Sequence, residues 1–199
     1  MSVAKDLLLA TNNSKKLKEI RALLGNDFHG QILCAADFSQ FPEPEETGTT
    51  FEENARLKAD YYAQRTGLVT LADDSGLMVD ALDGRPGVFS ARYAPSDDER
   101  IEKLLGELRN VPGPQRSARF VCALCVALPG GSHLVEFGTL EGFIELAPRG
   151  ANGFGYDPIF LVEESATTLA EMDENAKNEI SHRAVAMKKL RSGLIESLK

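Results

Sequence analysis

The 199-residue sequence predicts an α/β fold with a mixed sheet and flanking helices. Three observations carry that prediction. Strand-like and helix-like patterns alternate through the first half of the chain. Two long strand-like runs, Ala118–Leu128 and Leu134–Ile144, are separated only by Pro129-Gly-Gly-Ser132, a hairpin signal that puts antiparallel strands into the same sheet. From Ser181 onward, Met187, Leu190, Leu194 and Leu198 recur at helical spacing and should close the fold.

Taken in order, Leu7–Ala10 is a short apolar run expected to be a strand. It gives way to the turn-forming cluster Thr11-Asn-Asn-Ser14 and then to a helix with Leu17, Ile20, Leu23 and Leu24 on one face. Ile32–Ala35 is a second short strand candidate. Prolines and a glycine exclude regular structure over Phe41–Gly48. Thr50-Phe-Glu-Glu53 matches a capping box, and its helix should run to about Arg65, where Gly67 stops it. Val69–Ala72 reads as a strand leading into Asp73-Asp-Ser-Gly76, with Leu77–Leu82 as a separate strand. Ser96-Asp-Asp-Glu99 is a second capping box, opening an amphipathic helix with Ile101, Leu104, Leu105 and Leu108. Val111-Pro-Gly-Pro114 is the best linker candidate.

Composition narrows the function. Hydrophobic residues at 43% and charged residues at 26% mark a globular chain of one or two domains. The net charge of −8 argues against binding to a nucleic acid polymer, which depends on phosphate neutralisation by Lys and Arg. The apolar stretch near the N-terminus is too short for a signal peptide, and no run is long enough for a membrane span, so a cytoplasmic protein without membrane contact is expected. Cys34, Cys122 and Cys125 form no even-numbered framework. Cys122 and Cys125 have C-x-x-C spacing but fall in a strand pattern, where positions three apart point to opposite faces, so both are read as small core residues. His29 and His133 have no partner at zinc-ligand spacing.

Four constellations carry chemistry. Ala10-Thr-Asn-Asn-Ser-Lys-Lys16 lies between a strand and a helix, where amide groups, the helix dipole and Lys16 suit phosphate, although Walker A spacing is absent. Glu45, Glu46, Asp73 and Asp74 are acids of the kind that hold Mg²⁺ together with substrate phosphates, with Asp74 expected at the C-terminal end of its strand. In Asn152-Gly-Phe-Gly-Tyr-Asp-Pro158, glycines flank Phe154, and either Phe154 or Tyr156 is placed to stack on a flat base. Lys177 with Ser181-His-Arg183, expected at the start of the last helix, suits phosphate or a purine carbonyl.

These motifs occur together with Glu53-Asn-Ala-Arg-Leu-Lys-Ala59, Ala72-Asp-Asp-Ser-Gly-Leu77 and Gly84-Arg-Pro-Gly-Val-Phe-Ser-Ala-Arg-Tyr93. In this order, from Leu7 to about Leu190, the sequence resembles the inosine/xanthosine triphosphate pyrophosphatases, which hydrolyse deaminated purine triphosphates to the monophosphate and pyrophosphate. The resemblance implies one domain over residues 1–199, an elongated fold of two lobes around a central active-site cleft, with Mg²⁺ as cofactor, a purine nucleoside triphosphate substrate and a homodimer. Carried over by position, Thr11, Asn12, Asn13, Ser14, Lys15 and Lys16 form the triphosphate loop, and Glu45 or Glu46 with Asp74 hold the metal. Asp74 also orients or deprotonates the attacking water, and Ser75 contacts substrate. Phe154 stacks on the base with Gly155, Tyr156 and Asp157 around it, and Lys177, His182 and Arg183 read the purine edge. Asn12 stands where many members have Gly. The competing readings are a pyrophosphatase for other modified nucleotides and a nucleotide sensor without catalysis.

Overall fold

The computed structural model describes residues 5–25 and 28–199; Met1–Ala4, part of the N-terminal stretch considered above, lie outside them. The first strand, β1 (Leu7–Leu9), is followed by α1 (Ser14–Leu24), β2 (Ile32–Cys34), α2 (Phe51–Thr66) and β3 (Val69–Val79). Then come α3 (Asp97–Glu107), β4 (Ser117–Ala127), β5 (His133–Ile144), β6 (Phe160–Val162), α4 (Glu174–Ile180) and α5 (His182–Ser197). The six-stranded sheet has the order β2-β1-β3-β4-β5-β6. It is mixed, as expected. Helical crossovers make β1 parallel to β2 (Leu8 opposite Leu33) and to β3 (Leu8 opposite Thr70), whereas β5 and β6 are antiparallel (Phe143 opposite Leu161).

Local chemistry explains the helix ends. Asn13 caps α1, its Oδ1 accepting from the amides of Lys15 and Lys16 at 3.0 and 3.2 Å. Both expected capping boxes form. Thr50 Oγ1 accepts from Glu53 N at 3.2 Å while Glu53 Oε2 accepts from Thr50 N at 3.1 Å, and Ser96 and Glu99 repeat the exchange at 3.2 and 2.9 Å. Gly67 ends α2 in the left-handed region, φ 71°.

The chain forms two compact units, neither contiguous in sequence. The first comprises residues up to Asp74, Cys122–Gly138 and Arg183–Lys199. Its core packs Leu7, Leu9, Val69, Leu71, Leu124 and Val126 of the strands with Ile20 and Leu24 of α1 and Met187, Leu190 and Leu194 of α5. The second comprises Ser75–Val121 and Thr139–His182, with Leu77, Val79, Ile101, Leu104, Phe120, Ile144 and Phe160 in its core.

Three sequence expectations are corrected. Val111–Pro114 is not a domain linker, because it lies inside the second unit. Buried Arg116 braces that stretch and the end of α3 by donating to the carbonyls of Leu108, Val111 and Glu145 at 2.7, 2.9 and 3.1 Å. The two strands expected around Asp73–Gly76 are the single strand β3, which continues because its two acids are buried against cationic partners. Asp80–Leu82, expected as strand, is a 3-10 turn. The cysteines are core residues as expected. Burial pushes both thiols up, Cys125 to about 12, and the Cys122 thiol donates to Asp73 Oδ2 at 3.2 Å. No helix among the described residues is long and apolar enough to cross a membrane.

The first core depends on α5. Replacing Leu190, 2% exposed, by alanine is expected to lower the unfolding free energy by about 2–5 kcal/mol, read from urea denaturation.

Candidate active site

The polar loop between β1 and α1 begins as the chain leaves the sheet, with Ala10 N donating to Leu71 O at 2.8 Å. Thr11 Oγ1 accepts from Asn13 N at 3.1 Å, which shapes the turn that puts Asn13 at the cap. Asn12, Asn13, Ser14 and Lys15 are exposed, and Thr11 and Lys16 are half-buried. The loop thus presents polar side chains at the positive end of α1.

Lys16 points into the unit, where its ammonium pairs with Asp73. Asp73 Oδ2 also accepts from Arg183 Nε at 2.7 Å, and Arg183 Nη1 donates to Glu19 Oε2 at 2.5 Å. Arg183 is 1% exposed, so this network sits in the interior. Burial pushes the Asp73 pKa up, but Arg183 and Lys16 outweigh it and hold the carboxyl well below the usual range. Burial likewise opposes the Arg183 charge, and Asp73 and Glu19 override it and raise its pKa.

Asp74 is also buried, but successive residues of a strand project to opposite faces, and its partners are different. Its Oδ1 accepts from Lys58 Nζ at 3.0 Å and its Oδ2 from Asn54 Nδ2 at 3.3 Å, both from α2. Lys58 Nζ also donates to Glu46 Oε1 at 2.5 Å and to the Asp73 carbonyl at 2.9 Å. Burial raises the pKa of Asp74; Lys58 and Lys16 pull it down, Glu46 pushes it further up, and the net direction is upward. Burial disfavours the Lys58 charge, yet Asp74 and Glu46 raise its pKa. Asp74 therefore lies within β3 and not at its C-terminal end, and half-buried Ser75 follows it in the same strand. Glu46 reaches the Lys58 cluster, and Glu45 is exposed.

In the second unit, the loop around Phe154 is organised by carboxylates. Asp157 Oδ2 accepts from Phe154 N and from Lys177 Nζ, each at 2.7 Å. Lys177 Nζ lies 4.6 Å from the Phe154 ring centroid. Gly153 has φ 75°, and a Cβ there would stand 2.1 Å from Asp157 Oδ2, so only glycine fits. Gly155 N donates to Asp97 Oδ2 at 3.0 Å, and the Tyr156 hydroxyl donates to Ser90 O at 3.0 Å. Tyr156 is 4% exposed and Phe154 half-buried, which leaves Phe154 as the aromatic available for stacking. Lys177 belongs to the separate short helix α4 and not to the last helix. His182 opens α5 with its ring stacked on Phe120, centroids 4.9 Å apart.

A model of the Ham1 family matches residues 7–193. The chain belongs to the Ham1 family. A dITP/XTP pyrophosphatase of Geobacter sulfurreducens is 50% identical over 192 residues, covering 94% of this chain and 96% of that protein. One from Bacillus subtilis is 47% identical over 201 residues, covering 99% of this chain and 100% of that protein. The structure of a HAM1 protein from Coxiella burnetii matches with a TM-score of 0.88 at 45% identity, covering 96% of this chain and 99% of that one. The Ham1 protein of Staphylococcus aureus matches with a TM-score of 0.85 at 40% identity, covering 96% and 98%.

For this Ham1 chain, sequence reasoning missed the charges that hold the candidate residues in place. Lys58, Asn54, Glu19 and Asp97 were not singled out as partners, since a charged residue on a helix normally reads as solvated. Asn54 and Lys58 carried a signal, because they fall four residues apart on the side of α2 that buries Ala55, Ala59, Tyr62 and Ala63. Asp73→Ala removes the carboxylate shared by Lys16 and Arg183 and is expected to cost about 3–5 kcal/mol of stability in urea denaturation.

Proposed function

We propose that this Ham1 protein hydrolyses deaminated purine nucleoside triphosphates (ITP, dITP and XTP) to the monophosphate and pyrophosphate, clearing them from the nucleotide pool. Two observations carry the reading: the Ham1 family match over residues 7–193, and the different partners of two adjacent acids on β3, Asp73 meeting Arg183 and Lys16 and Asp74 meeting Lys58 and Asn54. Asp73 is held well below the usual carboxylate range by Arg183 and Lys16, whereas burial raises the pKa of Asp74 beside Lys58 and Glu46. Asp73 is taken up by its ion pairs with Lys16 and Arg183, so Asp74 is the carboxylate we assign to orient and deprotonate the attacking water. Lys16, with Thr11, Asn12, Asn13, Ser14 and Lys15 around it, neutralises and positions the phosphates, and Ser75 contacts substrate.

The donor set fits Mg²⁺. Glu46 and Asp74 already converge on one cation, Lys58 Nζ, at 2.5 and 3.0 Å. Mg²⁺ is held by one or two carboxylates together with substrate phosphates, and among the described residues no larger group of ligating side chains is assembled. Glu46, with Glu45 beside it in sequence, and Asp74 would hold the ion. When bound it would neutralise charge on the leaving pyrophosphate.

The Phe154 loop, with Gly155, Tyr156 and Asp157, receives the base. Hypoxanthine and xanthine carry a carbonyl where adenine has an amino group. Lys177 and His182, with Arg183 next in sequence but held by Asp73 and Glu19, are the donors assigned to that carbonyl; they leave adenine's donor mispaired, a penalty of about 1–3 kcal/mol. We take residues 1–199 as one catalytic domain working on a small nucleotide in the cytoplasm, as a homodimer, with neither a nucleic acid polymer nor a membrane as partner.

Incubation with inosine, xanthosine, adenosine and guanosine triphosphates and Mg²⁺, with product separation, tests the reading. Pyrophosphate with monophosphate is expected, and deaminated bases are expected to be preferred over ATP by at least about tenfold; guanine carries the same carbonyl, so a preference over GTP is expected to act through its 2-amino group. Stepwise orthophosphate release would exclude the mechanism, equal rates would exclude the selectivity, and no turnover would indicate a sensor. Asp74→Asn is expected to lower turnover by orders of magnitude while nucleotide still binds.

Lys16→Ala and Phe154→Ala separate the two ends of the substrate. The lysine variant should weaken inosine and guanosine triphosphates alike. The phenylalanine variant should raise KM by the equivalent of about 1–3 kcal/mol of stacking, measured by steady-state kinetics.

A further inference from the structure

The Phe154 ring sits between Gly153 and Gly155, whose φ values are 75° and 61°. A backbone this unrestricted keeps one conformation only if it is held from outside. On one side the hold is Asp157, already described. On the other it is Asp97, the first residue of α3. Asp97 Oδ2 accepts from Gly155 N at 3.0 Å, and its Oδ1 accepts from Arg100 Nη1 at 2.8 Å one turn further on. Arg100 is itself fixed, donating through Nε to Ala94 O at 2.9 Å. Helix capping does not account for the arrangement, because Ser96 and Glu99 already form the capping box of α3.

We propose that Asp97 is a positioning residue for base recognition: with Arg100 it fixes the Phe154–Gly155 peptide so that the Phe154 ring stays beside Lys177. The claim rests on the reading of Phe154 as the base-stacking residue and extends it to a pair on α3 that touches no substrate. The two sides of the loop differ in kind. Asp157 is 3% exposed and belongs to the interior, whereas the Asp97 side chain is 38% exposed. Loss of Asp97 should therefore free the loop without emptying a core.

The test is steady-state kinetics on ITP for Asp97→Ala, Asp97→Asn and Arg100→Ala. Inorganic tripolyphosphate serves as a base-free competitive inhibitor and thermal unfolding as the check on folding. Asp97→Ala is expected to raise KM about five- to tenfold with kcat within about twofold, the effect of one charge-assisted hydrogen bond at a partly exposed site, with Ki for tripolyphosphate unchanged. Asp97→Asn keeps one acceptor oxygen for Gly155 N but turns an amide donor toward Arg100, so it should recover part of the loss, to about the level of Arg100→Ala. An unchanged KM in Asp97→Ala overturns the proposal, as does an equal rise in Ki for tripolyphosphate or a fall in kcat at constant KM. Should the parent protein fail to turn over ITP, the activity reading fails, and the positioning claim is then decided by the dissociation constant of ITP in the same variants, expected to rise in Asp97→Ala and to recover in part in Asp97→Asn. If Asp97→Ala does not fold, Arg100→Ala carries the same comparison.

Discussion

The first unit is organised around a single buried carboxylate. Asp73, 2% exposed on β3, takes Arg183 from α5 and the Cys122 thiol from β4 on one oxygen and Lys16 from α1 on the other. Taking a carboxylate and two cations out of water is expensive, and the arrangement is tolerable only because several donors satisfy the acid at once. Glu19 completes the balance by pairing with Arg183. One electrostatic requirement thus fixes the orientation of two helices against two strands, and of the side chains of Lys16 and Arg183.

Strand geometry does the rest of the sorting. Because Asp73 and Asp74 are consecutive, they face opposite sides of the sheet, and each meets a different set of charges. One becomes a structural counter-ion and the other a carboxylate of raised pKa beside Glu46 and Lys58. Two residues of the same type acquire different chemistry from the period of the strand alone.

The second unit uses carboxylates differently, to hold backbone. Asp157 and Asp97 grip the amides on either side of the Phe154–Gly155 step, and the buried Tyr156 hydroxyl donates to Ser90 O. Ser90 Oγ accepts from Leu77 N at 2.9 Å, which ties the turn carrying Ser90 to the end of β3. Rigidity in a glycine-containing loop comes here from its neighbours and not from its own residues.

The sequence by itself determined the elements whose signals are local. The capping boxes at Thr50 and Ser96, the stop at Gly67, the hairpin turn and the apolar stripe of the last helix all depend on residues within a few positions of one another, and all are found. The order of the motifs also carried the family. Tertiary structure decided whatever depends on charge pairs distant in sequence. The Asp73–Gly76 segment reads as a loop because acids, serine and glycine normally mark one. It is a strand because Lys16, Lys58 and Arg183 come to it from 57 residues before Asp73, 16 before Asp74 and 110 after Asp73. The spacing of α2 puts Asn54 and Lys58 on its buried side, but their partners, like that of Asp97, are known only once the fold shows which amide or carboxylate each one meets. Helical or strand periodicity reports burial, and burial alone does not name the partner of a charge.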